Sequence, residues 1–574
     1  MHTPQNWKSM RFMPSLRRIY NKIPSFSKSG RHALGFLNIT QFLGIINDNV
    51  FKFVMAFLLI DTLGFSKAST ILSATGAIYV IPFLLFSSSA GILADRFSKQ
   101  KLLVVMKVAE IGVMVLAIFA FGAKSVWGCY TLLFLLSTHS AAFGPSKYGI
   151  IPELVPKEAV SRANGLITSF TYLAIITGTF LASFLTEITG RHFTWIALFC
   201  LLIAIGGFFS ALAIKQTLAQ GANKKINGFF VREIYQTLKY TRNITHLLPA
   251  IFGSAFFLMI GAFTQLNIIP FALQSLNLSE VAGGYLFLAT ALGIALGSFI
   301  AGRISRKRIE LGLSCFAGFG ISLFFILVAI FSSSLYAVII SLLFIGILGG
   351  AFIVPLDTFI QINSDGEKRG QTIGAANFLS FTGVLIASFA LYFFNQICGL
   401  SSAASFAVMG FITFCFSIFL VLRFSDLFFS FLSRILLYPL RFKPPNNEMI
   451  ENSLSSILIL ENASWRHALL LAGVLPNIHF LIPADSKKWR WYHSLFFSIH
   501  RAPEEGHIEE IINQAKKYQQ QEIVSCVMLS GTLSQNQVQP SSSFFNFFKR
   551  SSQIFYVRFI KDKASGRQTV RFEK

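Results

Sequence analysis

The sequence predicts an all-α membrane protein of twelve spanning helices, set out as two pseudo-symmetric halves of six, followed by a small α/β cytoplasmic domain. Three observations point to this class. Hydrophobic residues make up 53% of the 574-residue chain and charged residues 13%, with a mean hydropathy of +0.61; a soluble domain carries about 25% charged residues. Twelve apolar runs are each long enough to cross the roughly 30 Å of hydrocarbon in a bilayer. The polar stretch Gly91-Ile92-Leu93-Ala94-Asp95-Arg96-Phe97-Ser98-Lys99-Gln100-Lys101, between two such runs, is echoed at Gly297-Ser298-Phe299-Ile300-Ala301-Gly302-Arg303-Ile304-Ser305-Arg306-Lys307-Arg308. A glycine, an apolar helix end and a basic cluster thus recur at the same place in each half.

Taken in order, residues 1–33 hold Lys8, Arg11, Arg17, Arg18, Lys22, Lys28 and Arg31 with no acidic residue. So basic a segment resists translocation and stays in the cytoplasm. Spans are predicted near 34–60, 69–92, 102–123, 127–150, 164–188 and 193–214, then 247–273, 280–302, 310–332, 335–360, 374–396 and 401–422. The first run lacks a small-residue cleavage site and reads as a retained span. Odd-numbered connections hold Lys67, Lys124 and Arg191, whereas even-numbered ones hold Arg96, Lys99, Lys101, Lys157, Arg162, Arg303, Arg306, Lys307, Arg308, Lys368 and Arg369. That asymmetry predicts both termini inside. The two bundles are therefore 34–214 and 247–423, with 424–574 as the tail domain. Between the bundles, residues 215–246 carry six cations and the apolar stripe Phe229, Phe230, Ile234 and Leu238. A helix lying on the inner leaflet and a plain linker both fit that stretch.

The formal net charge of +24 is explained by basic helix ends near anionic headgroups, and nucleic acid is not an expected partner. The six cysteines show no paired or metal-binding spacing, so no metal is expected.

Ionisable groups inside a bilayer are costly unless paired or facing water, which makes each a functional candidate. The first helix carries Asp48, Asn49 and Lys52, and the third carries Lys107 and Glu110. Spacings of four and three residues put each charged pair on one helix face, close enough to pair. Lys107 and Glu110 read as a lock between helices, with Lys52 likewise a pairing residue. Asp48 and Asn49, near mid-helix, read as facing a central cavity, where a carboxylate can hold a cation or proton. Lys147 ends the fourth helix and Asp357 holds the matching place in the tenth. Both the cavity and the lock readings fit them. Gln265 in the seventh helix is a further cavity candidate. Asp95 stands at a helix end, where a carboxylate can cap the positive N-terminus of a neighbouring helix.

The halves share other landmarks: Ala142-Phe143-Gly144-Pro145-Ser146-Lys147 with Asn164-Gly165, and Ala351-Phe352-Ile353-Val354-Pro355-Leu356-Asp357 with Asn377-Phe378. Parallel repeats about an axis along the membrane normal have this form. On these residues the chain resembles the major facilitator superfamily, and 91–101 is similar to its loop motif between helices two and three. The resemblance implies a latch between halves at Gly91, Asp95 and Arg96, supported by Lys99. In the second copy Gly302 stands where the aspartate would be, which leaves that copy without the latch carboxylate. A narrower resemblance, to bacterial lysophospholipid transporters, covers 38–60, 141–165 and 350–361, with Pro145-Ser146-Lys147-Tyr148-Gly149 its most specific part. It implies inward flipping of lysophospholipid, typically lysophosphatidylethanolamine, across the inner membrane for reacylation. The headgroup would bind near Asp48, Asn49 and Lys147, with room for a coupling ion, sodium or proton.

The tail resembles a glycerol-phosphate acyltransferase domain, with strands expected at 456–460 and 522–529 and a helix at 465–475. That family uses a His followed five residues later by Asp, the His as general base. Asn462 and His467 stand at those places, and Met528-Leu529-Ser530-Gly531-Thr532 replaces its phosphate-binding motif. An amide cannot take the proton, so the tail reads as non-catalytic. A separate acyltransferase or acyl-activating synthetase is then an implied partner. An active acyltransferase tail and a cation-coupled exporter of amphiphiles are the alternative readings.

Overall fold

Backbone in hydrocarbon must close its own hydrogen bonds, so apolar runs of this length fold as helices. The computed structural model describes residues 30–221, 230–305 and 309–437, together with six strands between 457 and 573. Twelve of its helices are long and apolar enough to cross a membrane. In the first half they are α1 (Gly30–Leu63), α2 (Ala68–Arg96), α3 (Lys99–Gly122), α4 (Val126–Gly149), α5 (Lys157–Ile188) and α6 (Phe193–Ala213). In the second they are α7 (Leu247–Ser275), α8 (Glu280–Ile304), α9 (Leu311–Ile330), α10 (Leu335–Asn363), α11 (Arg369–Tyr392) and α12 (Ser402–Arg423).

Several helices outrun their apolar cores. The connection expected over 93–101 shrinks to Phe97 and Ser98, and the Ser98 hydroxyl caps α3 by accepting the Lys101 N–H. Helix α5 begins at Lys157 rather than near 164, and α11 at Arg369 rather than near 374. Hydropathy marks only the part of a helix in hydrocarbon. At the interface, polar residues such as Glu158 in the first turn of α5 continue the helix and favour its positive end.

The chain divides into two compact units. The first holds α1–α8, α10 and α11. Within it α1 packs on α5 and α2 on α4, and in the other half α7 packs on α11 and α8 on α10. The same pairing pattern occurs twice, as a six-helix repeat requires. The most extensive contacts between the halves are α2 with α11 and α5 with α8, and these exchange under the repeat. Both depend on glycine. A Cβ on Gly91 would lie 2.5 Å from the Gly370 carbonyl oxygen, and one on Gly165 would lie 2.5 Å from that of Ser298. The core of the first half gathers Val50, Phe51, Val54 and Met55 of α1 against Met114, Leu133, Ala174 and Ala204. Outward, Phe119, Trp195 and Phe209 are exposed, as suits side chains bathed in lipid.

The connection between halves contains a helix, Phe230–Thr241, which packs against α2, α7 and α11. Of its apolar stripe, Ile234 is buried and Phe230 meets the Phe378 ring at 6.2 Å. The second unit holds most of α9 and α12, joined by the Ser322 hydroxyl donating to the Gly410 carbonyl at 2.7 Å. A further helix, Ser425–Leu437, runs against Gly312 of α9 through Phe428 and Phe431. Beyond it come β1 (Ile457–Leu460), β2 (Ile478–Ile482), β3 (Ile499–Arg501), β4 (Val524–Met528), β5 (Ile554–Lys561) and β6 (Gln568–Glu573). Their order is β3-β2-β4-β1-β5-β6, parallel except for β5 with β6. Residues 1–29, the expected helix at 465–475, Asn462 and His467 lie outside the described residues.

Replacing Gly165 by valine puts a side chain where α5 and α8 touch. Overpacking of this kind costs about 1–3 kcal/mol, so the unfolding midpoint in detergent should fall. Gly112→Val, where a Cβ meets nothing within 4 Å, should leave it unchanged.

Candidate functional site

Helix α1 places Gln41 and Asp48 two turns apart on one face, and α4, running the opposite way, places Lys147 and Ser140 at the same spacing. They meet as two rungs. The Lys147 ammonium donates to Gln41 Oε1 at 3.2 Å and stands 4.3 Å from the centre of the Tyr148 ring. Gln41 is itself held, accepting from Thr171 at 3.2 Å and donating to the Ile167 carbonyl at 2.9 Å. At the other rung, the Ser140 hydroxyl donates to Asp48 Oδ2 at 2.7 Å, while Asp48 Oδ1 is buried with no hydrogen-bond partner among the described residues. The second half has a related rung, in which Ser254 of α7 donates to Asp357 Oδ1 of α10 at 3.0 Å. Among the described residues, Asp48, Lys147 and Asp357 form no ion pair, and each is held by neutral groups.

The other candidates are placed differently. Asn49 turns back to its own helix, donating to the Ile45 carbonyl at 2.8 Å. The expected Asp48–Lys52 pair does not close to ion-pair distance, although the two charges act on each other: Asp48 is directed to Ser140, and Lys52 donates to Asn49 Oδ1 at 3.4 Å. Four-residue spacing puts two side chains on one face, yet neighbouring helices decide which way each turns. Gln265 is exposed and joins none of these contacts, whereas Asn267 beside it is buried and donates to the Ser402 carbonyl at 2.9 Å.

Lys107 and Glu110 do meet, at 2.5 Å, with both side chains essentially inaccessible. Asn47 donates to the other Glu110 oxygen at 2.8 Å, and His139 Nε2 lies 3.7 Å away. Gly44 leaves room for the lysine, since a Cβ there would sit 2.5 Å from its Nζ. The group ties α1, α3 and α4 together inside the first half.

Asp95, fully buried at the end of α2, accepts the backbone N–H groups of Gly370 at 2.5 Å and Gln371 at 2.9 Å, plus the Gln371 amide at 3.3 Å. A helix leaves its first N–H groups without internal partners, and this carboxylate fills two of them at the start of α11. Gly91 permits the approach. Arg96 is exposed and does not reach Asp95; its guanidinium lies 5.6 Å from the Phe97 ring. Lys99 pairs with Glu153 at 2.6 Å, and its charge also acts on Asp95. At the place equivalent to Asp95, Gly302 packs against Gly165.

Sequence reasoning did not pick out a second cross-half contact. Asn164 of α5 donates to Thr358 and Gln361 of α10, and Gln361 donates back to Asn164, all at 3.0 Å. Nearby, Ser169 donates to the Ala295 carbonyl at 2.7 Å. Asn164 stood among the repeated landmarks and Gln361 ended the stretch 350–361 of the narrower resemblance, but only the fold shows that they exchange hydrogen bonds.

Two repeats of membrane-crossing helices, joined at α2–α11 and α5–α8 and charged within their spans, define a transporter-type membrane protein. The chain belongs to the major facilitator superfamily, whose family model matches residues 37–388. Lysophospholipid transporter LplT of Cronobacter sakazakii is 26% identical over 344 residues, covering 59% of this chain and 81% of that protein. The protein of the same name from Salmonella typhimurium is 26% identical over 348 residues, covering 59% and 80%. The human organic anion transporter MFSD10 superposes with a TM-score of 0.58 at 14% identity, covering 69% of this chain and 100% of that one. A bacterial homologue of the iron transporter ferroportin, in an outward-facing state, gives 0.53 at 14% identity, covering 69% and 99%. At such identities the structural likeness speaks for the fold alone.

The lock makes a direct prediction. Glu110→Gln leaves the Lys107 ammonium buried and uncompensated, a loss of about 3–5 kcal/mol for a broken buried pair. Removing both charges with Lys107→Met and Glu110→Met should restore most of it, as read by unfolding in detergent.

Proposed function

We propose that the chain moves lysophospholipid, of the lysophosphatidylethanolamine type, from the outer to the inner leaflet of a bacterial inner membrane by alternating access. The observation that carries this reading is the set of span charges held only by neutral partners. Lys147 keeps donors for a phosphate, and Asp48 and Asp357 keep charge for an amine, which together match a zwitterionic headgroup. The pair Lys107–Glu110 is self-neutralised and has nothing left to offer. The curated relatives named as lysophospholipid transporters support the same substrate class. A coupling ion, sodium or proton, suits the same carboxylates.

Basic residues cluster at the ends carrying Asp95, Arg162, Arg303 and Lys368, which favours a cytoplasmic placement for those ends and for both termini. The cross-half hydrogen bonds of Asp95 and Asn164 lie at these ends. Their presence fits a state closed to the cytoplasm and open to the outer leaflet, with Gly91 and Asp95 as the latch. The tail reads as a cytoplasmic α/β domain: parallel strands need crossover connections of a dozen or more residues, and residues 461–477 between β1 and β2 suffice. With Asn462 at the base position the tail is non-catalytic, and a separate acyltransferase or synthetase would complete reacylation. Anionic lipids suit the basic N-terminal segment.

Uptake of labelled lysophosphatidylethanolamine into spheroplasts tests the proposal. Asp48→Asn and Lys147→Met should each lower uptake about tenfold or more, one charge-assisted contact's worth. Unchanged uptake in both would overturn the site, and no uptake by the unmodified chain would overturn the function. Asp95→Ala should loosen the latch, so that Thr358→Cys is labelled about tenfold faster by a thiol reagent from the cytoplasmic side. Equal labelling rates would count against a latch.

A further inference from the structure

Lys52 is the charge on α1 that no rung accommodates. Its ammonium lies 4.8 Å from the centre of the Phe53 ring and 5.4 Å from that of Tyr79 on α2. It makes one hydrogen bond, a long one of 3.4 Å to Asn49 Oδ1. Among the described residues it forms no close ion pair; the nearest carboxylate in sequence, Asp48, gives one oxygen to Ser140 and meets Lys52 through its charge alone. An ammonium carries three N–H donors, and Asn49 occupies one. Ring faces attract a cation but accept no strong hydrogen bond in place of water. A half-buried lysine inside a span, with the Asp48 charge acting on it but no carboxylate in hydrogen-bond contact, keeps N–H donors for a further anion.

Its place along α1 says which anion. Lys52 lies beyond Asp48 on the side away from the Asp95 and Asn164 contacts. Residues 41 and 52, eleven apart, are about 16 Å apart along the axis, with the Lys147–Gln41 rung at one end and Lys52 at the other. A headgroup coming from the open side therefore meets Lys52 first, Asp48 next and Lys147 last. We infer that Lys52, with Phe53 and Tyr79 beside it, is an outer docking site for the phosphate of an amphiphile, from which the headgroup passes along α1 to Lys147. The inference rests on the lysophospholipid reading and adds a second, outer phosphate site to it. A phosphate monoanion would accept the two N–H groups that Asn49 leaves over. The aromatic rings leave the ammonium positioned rather than paired, so that the headgroup can be released inward.

Binding to the purified full-length chain distinguishes the outcomes. The ligands are lysophosphatidylethanolamine and a monoacylglycerol of the same acyl chain, which lacks phosphate. Lys52→Met should weaken lysophosphatidylethanolamine binding about tenfold or more, as loss of a charged contact does, with monoacylglycerol binding unchanged. Lys52→Arg, keeping the charge, should restore most of the affinity, and an unchanged unfolding midpoint shows that both variants are folded. If Lys52→Met binds both ligands as the unmodified chain does, the docking site is wrong and the transport reading stands. Equal weakening for both ligands also overturns it, because that marks a packing role. An unmodified chain that binds neither ligand overturns the docking site and the transport reading together.

Discussion

A charge inside hydrocarbon has to be neutralised, and where its partner comes from divides the residues of this protein by purpose. Lys107 and Glu110 neutralise each other within one helix turn, with Asn47 and His139 around them. That arrangement is complete and serves cohesion. Asp48, Lys147 and Asp357 are held by a serine, a glutamine and a serine. Neutral partners fix direction without cancelling charge, which suits the zwitterionic headgroup proposed above. The difference lies in the partners, since the residue types are the same.

The contacts between halves follow a second rule: polar bonds form where backbones can come close. Gly91 lets α2 approach α11 until Asp95 reaches two free N–H groups. Gly165 and Gly302 bring α5 and α8 equally close without a carboxylate, and there the polar bond is supplied by Ser169 and, on α10, by Gln361 with Asn164. The repeat therefore preserves the close approach and varies the chemistry. Two unequal contacts can loosen separately, as the proposed alternating access would need.

Much of this was legible in the residues. Twelve apolar runs became twelve spans, because helix formation in lipid follows from hydrophobicity and length alone. The Lys107–Glu110 contact also followed from spacing, since both residues lie on one helix and a turn of helix brings them together. The Asp48–Lys52 pairing had the same warrant, yet the two do not come into ion-pair contact. Ser140 on α4 offered Asp48 a shorter partner, and a sequence gives no sign of which helix lies opposite. Arg96 was grouped with Asp95 by proximity in the chain, yet it points away from the contact and is exposed.

The chain alone determined that this is a twelve-span membrane protein of two related halves, and which of its residues carry charge into the bilayer. Hydropathy, period and repetition are local properties that survive without a fold. Tertiary structure decided the partners: Gln41 for Lys147, Ser254 for Asp357, the N-terminus of α11 for Asp95, Gln361 for Asn164. Those depend on distances between helices far apart in sequence, set by small residues at the crossings. The same distances kept Asp48 out of hydrogen-bond contact with Lys52.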